Sequence, residues 1–407
     1  MSQIHQHRFA NGLTLLVEPI VGVKSAAMSL LLPSGAATEP DDQLGVTQVL
    51  GEMLFRGAGD LDSRQHSDAL DRLGVHRSYD VQTHHLRLGA TMLGDRLDRA
   101  LPLLTDMVRR PHLADTEFEP AVALALQGLQ SLEDEPQQKV MVELKRRHLP
   151  APLNHPQPGS VEHLQSLKLE HVRQHCDRHF VPDGAILGLA GNVDFEKVRD
   201  QIGQMLNDWS GTVEPLPVQG TPEPHYDHIT AETSQTHIGL AFDTVGESDP
   251  LSLHQRLGVA VLSGGMSGRL FTEVREKRGL CYAVYAAYAP QPNFGTVYAY
   301  AGTTVARAAE TLEVLREELQ RVNDGVEADE FHRAVVGLKA RLIMQGESTS
   351  ARARAIASDQ FLVGRPRTLD ERAEAIDAIS LDMLNDYLST HRPDTFTTLT
   401  IGPETLA

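Results

Sequence analysis

Nineteen histidines are spread along the 407 residues, and histidine is both a common metal ligand and a general base. Spacing decides which of them could act together. His171 and His175 are four apart, with His179 one turn further. On a helix all three share one face, the spacing that lets two imidazoles grip one metal ion. No acidic residue can be placed beside that stripe to complete a ligand set. His84 and His85 are adjacent, so on a strand their rings point to opposite faces and cannot share a metal. His5 and His7 share a face, but they sit at the chain start. Cys176 and Cys281 form no CxxC pair and read as packed thiols.

Charge excludes some partners. Asp and Glu number 55 against 37 Lys and Arg, for a net charge of −18. A surface of that sign repels nucleic-acid phosphates and anionic lipid, so neither nucleic acid nor membrane is expected as a partner. The first residues lack a basic segment followed by an apolar one, and no signal peptide is expected. The longest uncharged run, residues 279–306, is interrupted by Pro290-Gln291-Pro292-Asn293. It reads as two strands around a turn and not as a membrane span. The expected location is cytoplasmic, with a periplasmic one left open.

The elements that must position these residues are written twice. Met28 to Leu32, Gly35 to Pro40 and Leu44-Gly45-Val46 form an apolar strand, a polar loop and a helix start. Ile238 to Phe242, Gly246 to Pro250 and Leu257-Gly258-Val259 repeat that order, and the two LGV triplets stand 213 positions apart. Leu169, His179 and Pro182-Asp183 are matched by Leu381, His391 and Pro393-Asp394 at nearly the same offset. Between the copies, Thr212 to Pro224 holds four prolines in thirteen residues and reads as a stiff linker. The expected domains are therefore 1–211 and 225–407, joined by 212–224. Residues 12–18, 25–32 and 85–92 read as strands, and 44–55, 95–109 and 115–132 as helices. Helices that come in runs make the class α+β.

One segment resembles a known family. Gly45 to Gly57, which ends in Met53-Leu54-Phe55-Arg56-Gly57, is similar to the zinc helix of the pitrilysin/insulinase/mitochondrial processing peptidase family. That family carries His-x-x-Glu-His on a helix, with a third ligand, a Glu, on a later one. In this chain the first His position is Gln48, the catalytic Glu position Gly51 and the second His position Glu52. The later stretch, Gln127 to Pro136, places the third ligand at Gly128, 76 positions after Glu52. All four positions are changed. Without imidazoles this is a poor zinc site, and without the Glu there is no general base. The first copy is expected to hold no metal and to be catalytically dead.

The second copy carries the longer match. Gly264 to Tyr285 includes Ser267-Gly268-Arg269-Leu270-Phe271 and Arg275-Glu276-Lys277-Arg278-Gly279-Leu280-Cys281-Tyr282. It closely resembles the family segment whose Arg and Tyr, seven positions apart, reach the zinc centre from the opposite half of a clamshell. They map to Arg275 and Tyr282. A guanidinium fork and a phenol O–H suit the role, because both can hold a substrate carbonyl as negative charge builds on it. Five of the eight tyrosines lie between 282 and 300. Tyr285, Tyr288, Tyr298 and Tyr300 are either sheet packing or a peptide-contacting wall.

The resemblance implies two homologous domains, each a mostly antiparallel sheet packed on helices, that together form half of a clamshell. It implies a chain that is no enzyme on its own. Such a chain is the inactive, non-catalytic subunit of a bacterial-type heterodimeric zinc metallopeptidase. Arg275 and Tyr282 would serve in trans as catalytic and substrate-binding residues. The zinc cofactor would belong to a homologous partner subunit, and the substrate would be a peptide or unfolded polypeptide. A homodimer is possible for the isolated chain. The alternative is a proteolytically silent scaffold or peptide-binding homologue. An active peptidase using another metal is a third, weaker reading.

Overall fold

The computed structural model describes residues 3–220 and 222–406. The chain divides into two compact units: Met1–Ser131, Pro150–Gly220 and Gln345–Thr368 form one, and Leu132–Leu149, Thr221–Met344 and Leu369–Ala407 the other.

The first unit contains strands β1 (His5–Arg8), β2 (Thr14–Pro19), β3 (Ser25–Leu32), β4 (Gly57–Ala58), β5 (Leu61–Asp62), β6 (His76–Val81), β7 (Leu86–Leu93) and β8 (Ile186–Gly191). Six of them form a sheet in the order β1-β2-β8-β3-β7-β6, while β4 and β5 make a separate ribbon. Strand β3 reads Ser-Ala-Ala-Met-Ser-Leu-Leu-Leu and is buried along nearly its whole length, as a strand covered on both faces requires. One face packs Leu15, Met28 and Leu30 against Leu50, Leu101 and Leu104 of the helices Val46–Met53 and Leu97–Arg109. The latter helix buries Leu97, Ala100, Leu101, Leu104, Met107 and Val108, one stripe at helical spacing.

The second unit contains β9 (Tyr226–Thr230), β10 (Gln235–Thr244), β11 (Cys281–Pro290), β12 (Gly295–Thr304) and β13 (Thr397–Gly402). They form a sheet in the order β11-β12-β10-β13-β9. The uncharged run 279–306 is thus two strands around a turn, as its composition indicates. Read from the other end, this order repeats β2-β8-β3-β7-β6. In both sheets one pair is parallel, β2 with β8 and β9 with β13. The other neighbours in the repeat are antiparallel. The duplication seen in the sequence is a duplication of topology, and the class is α+β.

The copies and the compact units differ in one respect. Helix Pro136–His148 belongs to the first copy but packs on β10 and β13, where Val140 and Leu144 meet Ala241, Tyr298, Leu399 and Ile401. Helix Thr349–Val363 belongs to the second copy but packs on β3 and β8, where Ile356 and Ala357 meet Leu16, Leu31 and Ile186. The two helices start 213 positions apart, the offset of the LGV triplets, so the exchange is reciprocal. Each is anchored by polar contacts. His148 Nδ1 lies 2.9 Å from Thr397 Oγ1 and its Nε2 3.0 Å from Asp243 Oδ1. Arg352 donates to Glu18 of β2 at 2.8 Å, with both side chains almost wholly buried. The strands of the first sheet all precede residue 212 in the chain and those of the second all follow residue 224, but each unit takes one helix from the other copy. Residues 212–220 carry no regular structure.

Candidate functional site

The helix Val46–Met53 starts at Gly45, whose φ of +102° suits glycine. The buried carboxylate of Glu39 accepts from the N–H groups of Gly45 (2.7 Å) and Thr47 (3.0 Å), a cap from outside the helix. Burial pushes this carboxyl up to about 7, against the pull of those two donors.

On this helix positions 48, 51 and 52 are engaged by neighbours within the fold. A Cβ built on Gly51 would lie 2.4 Å from the ring of Tyr79. Tyr79, on edge strand β6, therefore fills the space a side chain at 51 would need. Gln48 donates its amide to the Tyr79 hydroxyl at 3.1 Å. Glu52 accepts from Arg56 at 2.9 Å, and Arg56 also donates to Glu117 at 2.8 Å. Burial, with the Glu52 carboxylate beside it, holds the Tyr79 phenol protonated well above its ordinary value. Gly128 is exposed on helix Asp115–Glu133, with nothing within 4 Å of its Cβ position. Zinc does not fit these residues. The two glycines offer no side-chain donor, and the amide of Gln48 and the carboxylate of Glu52 are engaged by protein partners. Tyr79 is the residue that the sequence reading missed. Nothing in His76–Val81 marks it, because its contact with position 51 is made across the fold.

In the histidine stripe the rings of His175 and His179 meet at 4.5 Å between centroids, but among the described residues no third ligand joins them. His175 is buried, with Nε2 at 3.1 Å from Ser34 Oγ and 3.0 Å from Thr47 Oγ1. His171 Nδ1 accepts from the Lys168 N–H at 3.3 Å. Burial, with Arg178 nearby, pushes His179 down to about 4. His84 and His85 lie in the turn between β6 and β7, not on a strand. Both rings rest on Phe361, at 5.1 and 4.5 Å between centroids, so the opposite-face expectation fails. His5 stacks on Phe195 and His7 meets Phe9 edge-on. Among the described residues no group of three or more His, Cys, Asp or Glu side chains is gathered as a metal would require.

Arg275 and Tyr282 are presented differently. Arg275 lies on the π-helical turn Phe271–Lys277, a form often found at functional sites. The turn is braced at its base. Glu273 accepts from Lys277 (2.7 Å) and Arg278 (3.1 Å). Arg269 grips Glu330 with two bonds of 2.7 and 2.6 Å and donates to Gly325 O at 2.7 Å. Gly279, at φ +61°, reverses the chain. Strand β11 then begins with an irregularity, because Cys281 pairs with Thr303 and Ala283 with Gly302. Tyr282 is the extra residue of this bulge, a device that re-aims a side chain. It is 65% exposed. Arg275 is exposed too, with its guanidinium carbon 4.8 Å from the Phe271 ring centroid. Burial pushes the neighbouring Cys281 thiol up to about 11, and the Arg275 charge pulls it the other way.

The remaining tyrosines are packing. Tyr298 and Tyr300 are buried, and the Tyr300 hydroxyl lies 2.8 Å from His237 Nδ1. Tyr285 lies against Tyr300, and Tyr288 donates to Val245 O at 2.9 Å. Of the five, Tyr282 alone turns outward.

Two family models match in tandem. "Insulinase (Peptidase family M16)" covers residues 17–157, and "Peptidase M16 inactive domain" covers 166–338. The chain is 26% identical over 397 residues to the uncharacterized zinc protease YmxG of Bacillus subtilis, covering 94% of each. Its fold is similar to that of a peptidase M16 inactive domain from Pseudomonas fluorescens, with a TM-score of 0.89 at 18% identity over 99% of this chain and 98% of the other. It is also similar to a chain of Complex III2 from Candida albicans, with a TM-score of 0.86 at 18% identity over 98% and 96%. The two models together span most of the chain, and the chain belongs to the M16, or insulinase, family of peptidases.

Proposed function

We propose that this chain is the non-catalytic subunit of a heterodimeric zinc metallopeptidase, and that Arg275 and Tyr282 complete the active site of a zinc-bearing partner subunit. One contrast carries the reading. Position 51 is filled by Tyr79, whereas Arg275 and Tyr282 stand exposed and make no ion pair or hydrogen bond among the described residues. Polar groups that a fold leaves uncommitted are available to a ligand.

The chemistry suits a peptide bond. Attack on its carbonyl carbon places negative charge on oxygen. A guanidinium offers a rigid fork of N–H donors and a phenol offers one O–H, so both can meet that charge in a water-poor cleft. The partner would supply the zinc and the general base. This chain would supply donors, and alone it would cleave nothing.

The test mixes the chain with a homologous subunit carrying an intact His-x-x-Glu-His motif and follows cleavage of an unfolded polypeptide. Activity is expected only in the mixture. Tyr282→Phe should lower kcat on the order of 100-fold, as loss of one oxyanion donor does. Arg275→Ala/Tyr282→Phe should lower it further, with complex formation unchanged by light scattering. Full activity of the double variant would instead support the silent scaffold.

A further inference from the structure

Arg275 and Tyr282 lie on different elements, so a device must fix one against the other. The two are separated by the reversal at Gly279-Leu280. The N–H groups of this reversal return to the helical turn: Gly279 donates to Arg275 O and Leu280 to Val274 O, each at 3.0 Å. Its carbonyls point elsewhere, and side chains from one neighbouring stretch meet both. Arg307 donates to Gly279 O. Thr303 Oγ1 donates to Leu280 O at 2.5 Å. Thr311 Oγ1 lies 3.1 Å from Thr303 Oγ1 and donates to Arg307 O at 2.8 Å. Both threonines are fully buried.

Three elements are closed by this group. Thr303 sits on β12 and is the strand partner of Cys281, the residue before the bulge. Arg307 ends the short turn Val305–Arg307, and Thr311 lies on helix Ala308–Arg321. The cluster therefore links the turn bearing Arg275, the bulge bearing Tyr282 and the helix behind them. Buried hydroxyls are costly to place and are kept where they make bonds. Here the Thr303 hydroxyl bonds the Leu280 carbonyl, while the Arg307 guanidinium bonds that of Gly279, the two carbonyls of the reversal between the proposed functional side chains.

We infer that Thr303, Thr311 and Arg307 are positioning residues, which hold the Gly279-Leu280 reversal so that Arg275 and Tyr282 meet one carbonyl oxygen together. The inference rests on the proposed role of that pair. Donors act on developing charge only when held in place, and a misplacement of about 1 Å can cost about 100-fold in rate.

The experiment uses Thr303→Val, which keeps the shape and removes the hydroxyl, with Thr303→Ser as the conservative control. In the mixture with the zinc-bearing homologue, Thr303→Val should lower kcat roughly 10- to 100-fold with little change in KM. Thr303→Ser should restore kcat. Added to Arg275→Ala/Tyr282→Phe, Thr303→Val should cost little more, because the groups it positions are gone. An equal further loss in that background, or full activity of Thr303→Val where the double variant is impaired, would overturn the inference and leave the role of the pair standing. An unimpaired double variant would overturn the role of the pair instead. Amide exchange over residues 271–290 of the isolated chain reads the latch without any activity. Thr303→Val should speed exchange there and leave residues 14–32 unchanged. Unchanged exchange over 271–290 would overturn the inference as well.

Discussion

Gly51 has room for a hydrogen and nothing larger on the side facing Tyr79. A Cβ at 2.4 Å from an aromatic carbon is well inside contact distance, and the ring is held by its bond from Gln48. Overpacking of this kind typically costs 1–3 kcal/mol, so Gly51→Ala should lower thermal stability, and Tyr79→Ala in the same chain should recover part of the loss. The same clash governs any return of the metal. Gln48→His, Gly51→Glu, Glu52→His and Gly128→Glu restore the family motif on paper. With Tyr79 in place the helix should take up little zinc, and with Tyr79→Ala added it should take up more. Zinc per chain by atomic emission, after dialysis, measures this. Equal loading with and without Tyr79 would show that the ring is no obstacle. The expectation at Gln48, Gly51 and Glu52 comes from one local pattern, and that at Gly128 from a second stretch 76 positions further on. Tyr79 is not legible in the sequence, because it lies 28 residues from Gly51 in the chain and meets it only when β6 is laid beside the helix.

Among elements, the vacated helix Val46–Met53 keeps a buried cap that titrates near neutrality. The Glu39 carboxyl is held at about 7 in the folded chain against an ordinary 4.5, chiefly because burial disfavours its charge. The folded state therefore binds this proton more tightly than the unfolded one. The contribution to stability is full below pH 4.5 and is lost as the pH rises towards 7, a change of roughly 3 kcal/mol at most. His175, buried below the same helix, acts in the opposite sense. Its imidazole is pushed well below 6.5 by burial, so stability falls as the pH drops through the range where the unfolded ring charges. Comparing the parent with Glu39→Gln cancels the histidine term. In urea titrations from pH 4.5 to 7.5 the parent should lose stability relative to the variant as the pH rises, and a constant difference would show that Glu39 does not titrate in this window. Strand and helix placements follow from periodicity within a few residues, as at 25–32 and 115–133. The bulge at Tyr282 does not, since Cys281-Tyr282-Ala283 reads as ordinary strand and the extra residue shows only in the pairing with β12.

For the whole molecule, the reciprocal exchange of helices determines what can fold alone. Residues 1–211 include every strand of the first sheet but lack helix Thr349–Val363. Cut free, they would expose the face bearing Leu16, Leu31 and Ile186 and leave the buried carboxylate of Glu18 without Arg352. With the helix gone Glu18 is opened to water, so the loss lies mainly in the apolar cover of Leu16, Leu31 and Ile186, each worth about 1.5–3 kcal/mol when fully buried, against an ordinary domain stability of about 5–15 kcal/mol. Residues 225–407 lack helix Pro136–His148, which covers Tyr298, Tyr300, Leu399 and Ile401. The sequence shows the two copies through their landmarks but not this exchange, because each helix carries only a narrow apolar stripe that would fit either sheet. Expressed singly, each fragment should aggregate or bind hydrophobic dyes. Expressed together, each brings the helix the other lacks, and they should form a soluble one-to-one complex, as should the intact chain cut within residues 212–220. Size exclusion with light scattering separates the cases. If fragment 1–211 alone ran as a monomer with a cooperative urea transition, the helix at 349–363 would not be needed to complete its fold.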